Sequence, residues 1–221
     1  WYWYMDEKGV SRPRRKPSKS KREPSGVQVK PGTYRLVMSF GDEQSEQVIE
    51  VKSDPRLTLD PASIDAVYAA SKELEGYTAA AASALKQLAE SKQTLADYKK
   101  LFKENKSDEM KALLKEMKSQ TKAIDSLIAL YIGKEDKRQG IVRNPESNVL
   151  TRIRNASRYN RSRQDGITTT ENKLLQHAKE ELGVAIEQTN TFFKEVWPSL
   201  KSKIEAEDAS RFKKIQELSI D

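Results

Sequence analysis

The sequence predicts a mainly α-helical protein, in which a small antiparallel β unit at the N-terminus precedes a four-helix up-and-down bundle with a long helical hairpin. Apolar residues recur with period two in residues 33–52 and at steps of three and four from residue 61 onward. Hydrophobic residues are 36% and charged residues 33% of the 221 residues, which suits long helices in contact with solvent. We therefore expect a β unit over residues 1–57 and a helical bundle over residues 58–221.

The β unit is predicted from alternating residues between turns. The apolar residues of the first strand have one parity and would share one face: Tyr34, Leu36, Met38 and Phe40. Residues 41–44 mark a turn, and residues 47–52 form the second strand of an antiparallel hairpin. Because a lone hairpin is marginally stable in water, we expect residues 1–10 to supply one or two further strands. The sheet would then be part of a larger sandwich whose other strands precede residue 1.

The first two helices are predicted from their ends and their apolar stripes. Asp60-Pro61 is a helix-start signal, with Asp60 as N-cap. Residues at three- and four-residue steps then form a seam: Ile64, Val67, Ser71, Leu74, Thr78, Ala81, Leu85, Leu88, Lys92, Leu95, Lys99 and Phe102. Residues 105–108 interrupt this pattern, and a second stripe ends at Gly133. The short connection predicts that these two helices pack antiparallel.

Two further helices are predicted after a polar loop. The third covers about residues 147–163, and its inward residues are Val149, Leu150, Ile153, Ala156 and Tyr159. The fourth begins near Thr168, and its stripe is Leu174, Leu175, Ala178, Leu182, Ala185, Ile186, Thr189, Phe193, Val196, Trp197, Leu200 and Ile204. Pro198 must kink or restart this helix, because its ring clashes with the carbonyl of Lys194. Phe212 and Ile215 lie on the tail.

Composition excludes several kinds of chemistry. The chain has no cysteine, which excludes disulfides and cysteine-ligated metal sites, and its single histidine, His177, excludes a multi-histidine metal site. No phosphate-binding loop or catalytic motif is present, so we assign no catalytic, cofactor-binding or metal-ligating residues. No apolar run approaches the ~18–20 residues of a membrane span. Because the chain begins with Trp1, we expect a fragment or a processed product.

Positive charge is concentrated in a basic loop over residues 12–25. Seven basic residues and no acidic residue lie between Arg12 and Arg22, whereas the whole chain carries +7. Prolines and serines interrupt the run, so we expect a solvated loop. The alternative is a contact with nucleic acid or an acidic polymer through Arg14, Arg15 and Lys16.

An aromatic run occupies residues 1–5, which read Trp-Tyr-Trp-Tyr-Met. Four adjacent large aromatic residues favour a strand and would be poorly soluble if exposed. We expect them to pack under a sheet or a neighbouring domain, and a carbohydrate-stacking platform is the alternative. Trp1 and Trp3 therefore join the three basic residues as candidate interaction residues.

Two short motifs carry a family resemblance. Residues 31–38 read PGTYRLVM, and residues 49–56 read IEVKSDPR. This pair resembles the C-terminal region of secreted bacterial β-propeller proteins of the sortilin-like, Asp-box-repeat kind, often labelled glycosyl hydrolases. In that family the propeller is followed by a FlgD-type immunoglobulin-like domain and a helical tail. Weaker similarities lie at residues 3–13, 138–145, 168–170, 193–198 and 212–213.

The resemblance implies a non-catalytic module with part of an immunoglobulin-like β unit and a helical tail. Its expected partner is the upstream β-propeller domain of the same parent chain, which the module would brace, or another protein. No catalytic residue carries over, and any glycoside hydrolase activity would reside upstream. The resemblance also implies a periplasmic, cell-surface or secreted location, as in a Bacteroidetes-type envelope protein. We expect no cofactor. Two alternatives remain: a basic module that binds nucleic acid or an acidic polymer, and an enzyme with its site in the groove between the helices.

Overall fold

A computed structural model describes residues 2–16, 20, 22–134, 147–163 and 165–207. Over these residues the protein is mainly helical, with two small two-stranded sheets before a helical bundle. The predicted fold class is therefore confirmed. Trp1 and the predicted tail residues Phe212 and Ile215 lie outside the described residues.

The four strands form two separate antiparallel sheets. The strands are β1 (Asp6–Lys8), β2 (Ser25–Gln28), β3 (Gly32–Phe40) and β4 (Glu43–Val51). The predicted hairpin is β3–β4, and Gly41 at its tight turn has a φ of 59°, a left-handed conformation that glycine adopts without strain.

The expectation that residues 1–10 would extend the hairpin is wrong. Strand β1 pairs with β2 instead, and β3 pairs with β4 alone among the described strands. Two backbone hydrogen bonds flank the β1–β2 pair, from Val29 N to Met5 O at 2.9 Å and from Gly9 N to Pro24 O at 3.0 Å. The strand after the basic loop, β2, therefore pairs with β1. The hairpin β3–β4 is left with two strands.

The helices follow the predicted order. They are α1 (Pro61–Phe102), α2 (Asp108–Ile132), α3 (Val149–Arg161), α4 (Thr169–Thr191) and α5 (Trp197–Ala206), with a π-helical turn over Phe192–Val196 between the last two. Side chains cap four helix starts: Asp60, Ser107, Asn148 and Thr168. Each accepts a hydrogen bond from a backbone N–H of the first turn, which satisfies a donor that has no partner within the helix.

One continuous apolar core joins these helices. From α1 it takes Ala70, Leu74, Ala81, Leu85, Leu88, Leu95 and Phe102, which include six of the predicted seam residues. From α2 it takes Met110, Leu113, Met117, Ile124, Leu127, Ile128 and Tyr131. Lys92 of the predicted seam is not buried but forms an ion pair with Asp125 of α2 at the edge of the core. Apolar contacts therefore hold α1 against α2, and the ion pair between Lys92 and Asp125 lies at the edge of these contacts.

The inward face of α3 differs from the prediction at its end. Tyr159 was expected to face inward, yet it is 43% exposed, whereas Asn160 is 2% exposed. The Nδ2 of Asn160 donates to Val67 O at 3.2 Å and to Ser71 Oγ at 2.7 Å, both on α1. These polar contacts place Asn160 rather than the tyrosine ring against α1.

A π-helical turn precedes Pro198, where the sequence predicts a kink or restart. The backbone N–H of Trp197 donates to Phe192 O, an i to i−5 bond that adds one residue to the turn. The extra residue moves the apolar stripe, so that Phe192 is buried and Val196 is exposed. Trp197 then packs against Phe192 and Phe193, with ring centroids 6.1 and 5.8 Å apart.

A buried carboxylate organises the start of α4. Glu171 accepts a hydrogen bond from Thr168 N at 2.9 Å and another from the Thr168 hydroxyl, and it pairs with the Arg163 guanidinium at 3.1 Å. The hydroxyl of Thr168 also accepts from Thr170 N at 3.2 Å, and Thr168 and Glu171 together form a capping box. These hydrogen bonds, that of the hydroxyl first, lower the pKa of Glu171 from its ordinary value of 4.5 to about 2.

We expect Glu171→Gln to destabilise the protein at neutral pH, by an amount that shrinks in acid. Because the folded-state pKa lies below the unfolded one, the ionised carboxylate stabilises the fold above about pH 4.5 and loses this effect as the pH falls towards 2. Thermal unfolding midpoints of the wild type and the variant from pH 7 to pH 3 measure the effect. Glu180→Gln, at an exposed carboxylate of the same helix, is the control and should change little. An equal difference at both ends of the pH range would contradict the assignment.

Candidate interaction surface

The hairpin β3–β4 carries a row of apolar residues along β3, and nothing in the described part of the chain covers the part of this row near the turn. The residues of β4 opposite that part are polar: Gln47, Ser45 and Glu43. In an antiparallel pair, residues directly opposite each other lie on the same face. Tyr34 is opposite Ile49, and Leu36, Met38 and Phe40 continue the row along β3. Met38 is 65% exposed and Phe40 is 88% exposed. We call these five residues the hairpin face.

Exposure increases along the hairpin face towards the turn. Tyr34, near the base, is half-buried, and its hydroxyl donates to Lys30 O at 2.7 Å. The ring of Trp3 packs on it with centroids 5.6 Å apart, and Trp3 Nε1 donates to Asp6 O at 2.9 Å. From Tyr34 to Phe40 the row spans about 20 Å at ~3.4 Å per residue. An exposed apolar row of this kind is typical of a protein interaction site.

The opposite side of the hairpin is more polar. Arg35 pairs with Glu46 across the strands at 3.2 Å, and both side chains are exposed. Val37 and Val48 are also exposed on this side but lie beside those charges. The two sides of one hairpin therefore differ in chemistry, which gives a matched control for mutations of the hairpin face.

The aromatic run is only partly packed in this chain. Trp3 contacts the base of the hairpin, as expected for a residue under a sheet. Tyr2, Tyr4 and Met5 are exposed, so they do not pack under a sheet of this chain, and their packing against a neighbouring domain stays a prediction. Their exposure adds apolar surface to the same β unit that carries the hairpin face.

The described residues of the basic loop are mostly exposed, as the sequence predicts for a solvated loop, but two residues near its start are attached to the protein. Pro13 is buried, and the Arg15 guanidinium donates to Gly133 O. Gly133 is the C-cap of α2, where the free carbonyls and the helix dipole favour a cation. Arg15 therefore has a hydrogen-bond partner within the chain, whereas Arg14 and Lys16 remain exposed.

A polar cluster joins the β unit to α1. The Glu7 carboxylate of β1 accepts from the Tyr68 hydroxyl and from Lys72 Nζ, the latter at 2.9 Å. Lys72 also pairs with Glu75 at 2.5 Å. The hydrogen bond from Tyr68, followed by that from Lys72, lowers the pKa of Glu7. Nearby, Lys30 pairs with Asp65 at 2.7 Å and lies over the Tyr68 ring. These contacts fix the base of the hairpin relative to the bundle.

Over the described ranges, no group of three or more His, Asp or Glu side chains is arranged to hold a metal ion. None of the helices described there is long and apolar enough to cross a membrane. Comparisons with known proteins gave no match to a family model, to a curated protein or to a solved structure.

Sequence reasoning placed the apolar residues of β3 on one face but expected strands from residues 1–10 to join the hairpin. The missed signal was the length of the basic loop, which lets the chain after β1 return and pair with it as β2. The anchoring of Arg15 has no local sequence signal, since Gly133 lies 118 positions away.

Proposed function

We propose that this chain is a non-catalytic accessory module that attaches to a neighbouring β-rich domain through the hairpin face. The single observation that carries the proposal is the row from Leu36 to Phe40, which is apolar, regular and exposed. A two-stranded sheet is marginally stable alone, and an apolar partner surface would stabilise it. The neighbour that the family resemblance implies is the upstream β-propeller of a sortilin-like parent protein.

The arrangement of the bundle supports a bracing role. The hairpin is held at its base by Trp3 and by the cluster around Glu7, while its turn extends into solvent. Apolar surface that becomes buried contributes roughly 25 cal/mol per Å², so Met38 and Phe40 would supply much of the binding energy. In this proposal the helices form a rigid support, and any glycosidase activity belongs to the propeller. The module would act outside the cytoplasm, as a periplasmic, cell-surface or secreted protein.

Hydrogen exchange provides the test. The amides of β3 and β4 would be compared in this chain alone and in the parent protein that its reading frame encodes. We expect at least a tenfold slowing of exchange in the parent, because docking covers the hairpin. The double variant Met38→Ser, Phe40→Ser should remove this difference.

The matched control is Val37→Ser, Val48→Ser on the opposite side of the same hairpin, which should leave the slowing intact. Equal exchange in the isolated chain and in the parent would refute docking through this face. A reading frame with no propeller repeats would refute the identity of the neighbour, but not the use of the hairpin face.

A further inference from the structure

A second feature is a cleft between the β unit and the bundle. Its volume is about 860 Å³, and its walls come from the N-terminal segment with β1, from β2, residues 53–59, α1 and α3. This is within the ~300–1,000 Å³ that ligand pockets usually occupy. The hairpin face lies outside it, since none of Leu36, Met38 and Phe40 lines the cleft.

One wall is the edge of a strand. Every residue of β2 from Ser25 to Gln28, and then Val29, lines the cleft. Successive side chains of a strand point to opposite faces, so a strand that contributes consecutive residues presents its edge. The other edge of β2 is paired with β1. The edge towards the cleft therefore offers backbone N–H and C=O groups to a further strand.

The opposite wall holds a buried acceptor without a partner. The Asn160 side chain is almost fully buried, and both its N–H groups are used by Val67 O and Ser71 Oγ on α1. Its Oδ1 is the one buried side-chain polar atom without a hydrogen bond in the described part of the chain. A buried acceptor without a donor costs about 1–3 kcal/mol. A ligand N–H group that donates to Asn160 Oδ1 would remove this cost.

Two guanidinium groups that line the cleft have no ion pair among the described residues. Arg12 and Arg161 are exposed, and neither pairs with a carboxylate of the described residues. The other lining cations, Lys30 and Arg163, are already paired, with Asp65 and Glu171. The lining carboxylates Asp54 and Glu75 are likewise paired, with Arg56 and Lys72, which leaves Asp6. Two unpaired guanidinium groups against one unpaired carboxylate favour an anionic ligand.

We propose that the cleft binds an extended peptide segment with acidic side chains, which adds as a strand to the edge of β2. Its backbone would pair with β2, an N–H would reach Asn160 Oδ1, and its carboxylates would pair with Arg12 and Arg161. Alternate apolar side chains would pack on Val27, Val29 and Ile64. A single strand of nucleic acid fits less well, because its sugar–phosphate backbone has no alternating N–H and C=O groups to pair with the edge of β2.

Fluorescence anisotropy with three labelled probes tests this proposal: the peptides Val-Glu-Val-Glu-Val and Val-Lys-Val-Lys-Val, both with blocked ends, and pentathymidylate. We expect the glutamate peptide to bind at least tenfold more tightly than the lysine peptide and pentathymidylate. It should also slow amide exchange in residues 25–28. Equal affinities for the two peptides, tighter binding of pentathymidylate, or no binding of the glutamate peptide would overturn the proposal.

Variants assign the binding to the cleft. Arg161→Ala should weaken binding of the glutamate peptide at least fivefold. Arg158→Ala is the matched control, since Arg158 is exposed on the same helix, lies over the Tyr159 ring and does not line the cleft. Phe40→Ser should leave the affinity unchanged, so this result is independent of docking through the hairpin face. Equal losses in Arg161→Ala and Arg158→Ala would place the peptide elsewhere.

Discussion

Replacement of Leu88 by alanine is expected to lower the free energy of unfolding by about 2–5 kcal/mol. Leu88 lies in the middle of α1, is 0% exposed, and belongs to the core shared with α2. The substitution removes buried methyl groups and leaves a cavity that a helical hairpin refills only partly. Domains are usually stable by only about 5–15 kcal/mol, so the loss is a large fraction of the total. Urea denaturation followed by circular dichroism measures it.

The control for this variant is Gln87→Ala. Gln87 precedes Leu88 on α1 but is exposed, so the change should stay within about 0.5 kcal/mol. Similar losses in the two variants would show that the seam of α1 does not face the core. That result would contradict the fold described here.

Substitution of Gly26 by alanine is expected to separate β1 from β2. A Cβ atom at this position would lie 2.9 Å from the backbone nitrogen of Gly9 and 2.9 Å from the carbonyl carbon of Glu7. Both are backbone atoms, so the strands must move apart. Overpacking of this kind costs about 1–3 kcal/mol. Because Glu7 also binds Tyr68 and Lys72, the β unit should loosen from α1, with faster amide exchange over residues 25–28.

Gly76→Ala is the matched control, because Gly76 lies inside α1 and has nothing within 4 Å of an added Cβ. Alanine favours a helix interior over glycine, so this variant should gain about 0.5–1 kcal/mol. The same substitution thus has opposite expected signs at the two glycines. If Gly26→Ala were as well tolerated as Gly76→Ala, the close strand pairing would be wrong.

The sequence predicted the helices well because their signals are local. Asp60 and Thr168 cap helices at the expected positions, and Leu74, Leu85 and Leu88 of the predicted seam are buried. The prediction failed where a contact between distant parts of the chain decides the outcome. Asn160 replaces Tyr159 on the inner face of α3 because acceptors on α1 bind it.

The π-helical turn and the strand pairing show the same limit. Pro198 indicated an irregularity, but the identity of the buried ring, Phe192, depends on an extra residue in the turn that sequence periodicity does not encode. The pairing of β1 with β2 depends on a long loop closing, which leaves no periodic signal. The alternation of apolar residues in β3 predicted that they share one face. That this face is exposed follows only from the strand pairing, which the sequence did not predict.

The length of α1 has a mechanical consequence. From Lys72, which holds Glu7, to Phe102 at its far end, the helix rises about 45 Å at ~1.5 Å per residue. A single rod therefore links the amino-terminal strands to the tip of the helical hairpin, and α2 stiffens it along the way. A partner that binds the amino-terminal strands therefore also sets the direction of α1. Because the far end of α1 is distant, a small rotation at the strands would move that end by several ångströms.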